Sequence, residues 1–190
     1  MSRAYRVSVS ESARRIIHGS DHVCTDLELL EVLPKEDMAA LLTKELQGLG
    51  FVPEEGTLVR RHGDVTICVD PATGQVSVQA ELQQDVELTE TAGGWGDEDY
   101  GAEGRKNVEE NLREKALAGI ERQAKSRENR LTREATEQLE QTLRDLQPEL
   151  DGVVNRVTAA ALKQKAAQLG EIKQITEDTE NGSMTIILEV

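Results

Sequence analysis

The side chains best suited to metal chemistry fall close together as His18, His22 and Cys24, in an H-x-x-x-H-x-C arrangement. A bound metal needs imidazole or thiolate ligands within reach of one point, and a fourth ligand would have to come from His62, Cys68 or a carboxylate. The spacing matches no established zinc pattern. Gly19-Ser20-Asp21 between the histidines has the composition of a turn, not of a helix that would present both rings on one face. Exposed loop histidines and a packed cysteine are the plainer expectation.

Other chemistries find less support. Carboxylates are plentiful, but acid-base work needs a pair whose surroundings push their pKa values apart, and nearly all of these fall on predicted helix surfaces or turns. There is no G-x-S-x-G elbow and no phosphate-cradling loop. The Gly93 to Gly96 cluster lacks the Lys and the strand-to-helix setting such a loop demands. No catalytic, cofactor-binding or metal-binding residue is assigned, and the chain is expected not to be an enzyme. Arg3, Arg6, Arg14 and Arg15, with Arg60 and Arg61, form the one concentration of positive charge. They could meet an acidic arm of the same chain or an acidic partner, or simply line the wet face of strands.

Composition narrows the classes further. The 190 residues carry 36 acidic against 22 basic side chains, a formal net charge of −14, which repels phosphate backbones and anionic membranes. Nucleic-acid binding is not expected. Hydrophobic residues make up 37% and aromatic residues 2%, so the core should be small and built from Leu, Ile, Val and Ala. Cys24 and Cys68, far apart and in no CxxC pairing, read as reduced thiols of a cytoplasmic protein. The alternating N-terminus is not a signal peptide, and no segment approaches the roughly 20 apolar residues of a membrane-spanning helix.

The elements follow from hydrophobic period. Tyr5, Val7 and Val9 alternate with polar neighbours and predict a strand over Ala4–Ser10. Val23 to Val32 is strand-like with a parity that slips at Leu30, and a bulge or a change from strand to loop near Leu29 would absorb the slip. Pro34, Glu36 and Asp37 suit a helix start, and Met38, Leu41, Leu42, Leu46 and Leu49 make one apolar stripe closed by Gly50. Short strands are predicted at Thr57 to Arg61, Asp64 to Val69, Gln75 to Leu82 and Asp85 to Glu90, with turns at His62-Gly63 and Asp70 to Gly74. The glycine- and acid-rich run after Ala92, with Trp95 and Tyr100, reads as a mobile linker. From Asn107 the composition is strongly helical. The stripe from Val108 to Leu146 and on from Leu150 to Leu169 keeps no strict heptad, so a long helix or loose coiled coil is expected, broken near Pro148 and Gly152. Asn181-Gly182 then marks a C-terminal hairpin, Glu171 to Thr176 with Ser183 to Val190, which must dock on something because an isolated hairpin is marginal.

Three stretches carry a resemblance: Ser2-Arg3-Ala4-Tyr5-Arg6-Val7, the segment from Thr25-Asp26-Leu27-Glu28 to Leu33-Pro34, and Asn155-Arg156-Val157-Thr158 through Leu169-Gly170-Glu171-Ile172 to Val190. Together they resemble a bacterial family of small accessory components encoded with an FtsH-type AAA+ protease and a von Willebrand A protein, the FtsH ternary systems. The resemblance spans the chain, but none of the stretches is a mechanistic motif. The last of them is also similar to the C-terminus of the Ycf35 family of cyanobacteria and plastids. These resemblances imply a non-catalytic part of a multiprotein assembly in conflict or stress response, with no functional residues to carry over.

The expected fold is α+β: a small antiparallel sheet with one packed helix, a long coiled-coil-like helical arm and a C-terminal β-hairpin. The expected divisions are a head over residues 1–91, a flexible linker over 92–104, an arm over 105–147, and a helix with hairpin over 148–190. The leading functional expectation is a cytoplasmic scaffold or adaptor without cofactor, with protein partners such as an AAA+ protease or a von Willebrand A protein and with homo-oligomerisation open. A self-assembling phage-like structural protein and a small metal-dependent enzyme built on His18, His22 and Cys24 are the alternatives.

Overall fold

A computed structural model describes residues 4–97, 101–178 and 183–189. The elements run β1 (Ala4–Asp26), α1 (Lys35–Gly48), β2 (Val52–Glu54), β3 (Thr57–His62), β4 (Val65–Val69), β5 (Gln75–Asp97), α2 (Gly101–Leu169), β6 (Glu171–Asp178) and β7 (Ser183–Glu189). The fold is α+β. Its five-stranded antiparallel sheet has the order β1-β5-β4-β3-β2, and β6 and β7 form a separate hairpin. Two compact units divide the chain: Met1–Asp21 with Glu81–Thr136, and His22–Ala80 with Glu137–Val190. Both are assembled from segments distant in sequence.

In the first unit, β1 extends well past the predicted end at Ser10. The pattern was obscured because alternate inward positions after Val9 include Glu11, Arg15 and Asp21 among Ala13, Ile17 and Gly19. Each polar inward residue meets a partner on α2: Glu11 accepts from Arg113 at 2.8 Å, Arg15 pairs with Glu121, and Asp21 accepts from Thr136 at 2.7 Å. A charged side chain at an inward position is thus satisfied by the flank of the helix, so the strand persists where its hydrophobic period does not. The apolar centre of this unit comprises Ile17, Val86, Leu88, Ile120, Ala124 and Leu131.

The strands expected at Gln75 to Leu82 and Asp85 to Glu90 are one strand. No turn residue separates them, and Val76, Val78, Ala80, Val86 and Leu88 keep one parity and are all buried. Of the expected linker, residues 92–97 complete β5 and residues 101–104 open α2, while Tyr100 lies outside the described residues. Glycines there serve close approach: a Cβ on Gly96 would stand 2.4 Å from the Tyr5 ring.

In the second unit, β3 and β4 pair in register from Leu58↔Val69 to His62↔Val65, turning through Gly63 at φ 60°. The loop to β5 closes where the Asp70 carboxylate accepts from the Ala72 amide and the Thr73 hydroxyl, both at 2.8 Å. Strand β2, too short to leave a period, pairs with β3 through Glu55-Gly56. Met38, Leu42 and Leu46 form the buried stripe of α1, as their spacing predicts. Of the stretch Val23–Val32, residues through Asp26 end β1 and an irregular segment follows, so a change from strand to loop, not a bulge, accounts for the slip in parity. There the Leu27 amide donates to the Gly74 carbonyl at 2.8 Å.

Helix α2 is continuous through Pro148 and Gly152, where a break was expected. Pro148 lies on the exposed side, while Leu146, Leu150 and Val153 beside it are buried. Packing on both sides holds the helix across a residue that by itself costs about 3 kcal/mol. The buried hydrophobic positions from Leu112 to Ala161 recur in steps of three, four and seven. In the first unit this stripe faces the chain's own strands, which explains why no heptad holds.

Candidate interaction surface

The residues first considered for metal chemistry are dispersed. His18 lies on the exposed face of β1 in the first unit. In the second, His22 and Cys24 are exposed on β1, His62 is exposed at the end of β3, and Cys68 is half-buried on β4. The turn expected at Gly19 to Asp21 is strand, which spaces residues four apart by about 13 Å. Among the described residues, no group of three or more His, Cys, Asp or Glu side chains could hold a metal ion.

The arginines do not form one patch either. In the first unit Arg14 pairs with Asp85 on β5 and Arg15 with Glu121 on α2. The hydrogen bonds from these guanidinium groups, then their charge, hold both carboxyls below the usual range. In the second unit Arg61 pairs with Glu54 at 2.6 Å, and Arg60 reaches Glu149 on α2 at 2.7 Å and sits 4.7 Å from the centre of the Phe51 ring. Arg15 and Arg60 therefore meet acids of the helix, one of the roles their charge allowed. Arg6 is exposed, and Arg3 lies outside the described residues.

The second unit contains a groove of about 810 Å³ between Val23–Glu28 and the α2 segment from Leu143 to Asn155. Buried Val76, Leu146 and Leu150 form its floor, and half-buried Val23, Leu27, Leu143 and Val154 its walls. Asp26, Glu28 and Asp151, all exposed, stand at its rim with no basic residue among the lining side chains. An apolar floor ringed by acids can take an apolar side chain from a segment that also carries Lys or Arg. Its parts lie more than a hundred residues apart, so no local pattern encodes it. The one signal is Val153-Val154, adjacent apolar residues on a helix: Val153 is buried and Val154 is left for another surface.

The hairpin is a second apolar surface. Strands β6 and β7 pair from Glu171↔Glu189 to Asp178↔Ser183, with an irregularity between Ile172 and Gln174. The turn expected at Asn181-Gly182 lies outside the described residues. Of the hairpin's described apolar side chains, Ile172, Met184 and Ile186 are half-buried, Ile175 and Ile187 are exposed, and none is fully buried.

No described helix is long and apolar enough to cross a membrane. The family model FtsH ternary system domain X5 matches the chain over residues 1–190. A similarity to the Ycf35 family is not shown. No curated protein and no solved structure matches the chain.

Proposed function

The chain belongs to the family FtsH ternary system domain X5, and from this membership we propose that it is a non-enzymatic adaptor in a protein assembly associated with an FtsH-type AAA+ protease. The observation that carries the reading is the acid-rimmed apolar groove of the second unit. An adaptor needs a surface that is folded before its partner arrives, apolar enough to gain from burial and charged enough to select. Leu146 and Leu150 supply the first two, and Asp26, Glu28 and Asp151 the third. The occupant is a segment of another protein of the same system, apolar at its centre and basic at its flanks. Free thiols at Cys24 and Cys68 support a cytoplasmic setting.

The test uses the full chain with the purified FtsH-type protease and von Willebrand A protein from the same genome. Binding is followed by titration calorimetry. One of the two is expected to bind, and Val154→Lys or the pair Glu28→Lys and Asp151→Lys to weaken binding at least tenfold. If neither binds, or if the groove variants bind as the unaltered chain does, the reading fails.

A further inference from the structure

Strand β1 ends the five-stranded sheet, so along one side its main chain has no neighbouring strand among the described residues. In the first unit two concavities of about 740 and 570 Å³ lie along that side. Each is lined by consecutive β1 residues, Arg6 to Val9 and Arg15 to His18, together with the flank of α2. Consecutive residues of a strand point to opposite faces, so a hollow touching all of them lies beside the main chain. A long edge of this kind is a ready template for another strand.

We propose that the edge from Tyr5 to Asp21 pairs with the same edge of a second copy of this chain, antiparallel, about a two-fold axis at Ala13. Three observations single out a second copy. The first is charge. An axis at Ala13 sets Glu11 opposite Arg15 of the other copy and Arg15 opposite its Glu11, on the same face of the joined sheet. Since Glu11 already holds Arg113 and Arg15 already holds Glu121, each contact extends a row of alternating charge. The chain as a whole carries −14, but the lining of the two hollows holds four basic against four acidic residues in one and three against two in the other, His18 not counted. Two acidic chains can meet here without the repulsion they would feel elsewhere.

The second observation is Leu117. Because Glu11 binds Arg113 and Arg15 binds Glu121, Ala13 lies alongside the residue midway between them on the helix. That residue is Leu117, which is 48% exposed on an otherwise charged flank. The axis therefore brings two Leu117 side chains face to face. The third is spacing. α2 packs over β1 and β5 through Ile17, Val86, Leu88, Ile120 and Ala124. Joining the two β1 edges sets the two helices about two strand spacings apart, roughly 9.6 Å, within the 8–10 Å at which helices pack.

Light scattering on the full chain after size exclusion is expected to give twice the monomer mass of 20.9 kDa. Leu117→Glu is expected to halve that mass while keeping the cooperative thermal transition of a folded chain, because Leu117 is not part of the core. In a background with Cys24→Ser and Cys68→Ser, oxidation of Ala13→Cys is expected to give a covalent dimer, and Ser20→Cys, displaced from the axis, to give none. A pure chain that stays monomeric at every concentration overturns the proposal, which includes the case of an edge reserved for a strand of a different protein. A dimer that survives Leu117→Glu and cross-links through Ser20→Cys but not through Ala13→Cys overturns it equally.

Discussion

Arg60 joins three parts of the second unit: it pairs with Glu149, donates to the Leu49 carbonyl at 3.3 Å and stacks on Phe51. Hydrogen bonding from Arg60, the main cause, holds the Glu149 carboxyl below its ordinary value. A carboxyl whose folded pKa is depressed stabilises the fold fully above its unfolded pKa of about 4.3, and that contribution is lost as pH falls through the lower folded value. Glu149→Gln should therefore flatten the acid limb of stability against pH, as urea unfolding at a series of pH values would read. Arg60→Ala should cost about 1–3 kcal/mol in the same measurement at neutral pH, since it strands a partly buried carboxylate and removes a ring contact. Gly19 makes a sharper case. A Cβ there would stand 2.4 Å from the backbone of Leu131 and Thr132, so Gly19→Ala should destabilise by about 1–3 kcal/mol, measured by thermal or urea unfolding. Sequence composition reads Gly19 as part of a turn. A glycine signals either a bend or a close approach, and only the helix lying against β1 distinguishes them.

At the scale of the element, α2 was legible as helix but not as one helix. Propensity correctly marks Pro148 as a breaker, and the helix runs through it because its neighbours on both sides are anchored. The cost persists within the folded state, so Pro148→Ala should raise stability by about 1–3 kcal/mol in thermal unfolding. The hairpin behaves oppositely: its turn signal and alternation are plain in the sequence, but what covers it is not. Since none of its described side chains is fully buried, truncation after Leu169 should leave the thermal transition of the rest within a few degrees of the full chain. A large loss would mean that the hairpin contributes to the core. Helix α1 and the turns at Gly63 and Gly74 were the most legible features, because their signals are local: one stripe, and backbone positions at positive φ that favour glycine.

At the scale of the whole molecule, the groove's acidic rim and the net charge of −14 give the proposed partner interaction a defined salt response. Affinity for a basic-flanked segment should fall as salt rises, mainly through slower association, with a smaller slope in the Glu28→Lys and Asp151→Lys chain. Kinetic binding measured over a salt series would read both. By itself the sequence determined the α+β class, the position of α1, the β3–β4–β5 turns, the helical character from Asn107 on and the terminal strand pair, since each rests on periods and turn residues within a few positions. Tertiary structure alone decided that β1 and β5 are long single strands, that the polar residues within β1 face a helix supplying their partners, and that the two compact units each combine distant segments. The same holds for the two surfaces on which the functional proposals rest. The groove joins residues near 25 to residues near 150, and the β1 edge joins residues near 13 to residues near 117. Local periodicity encodes which side of an element is apolar. It does not encode which distant element will cover that side, or which part will be left for another chain.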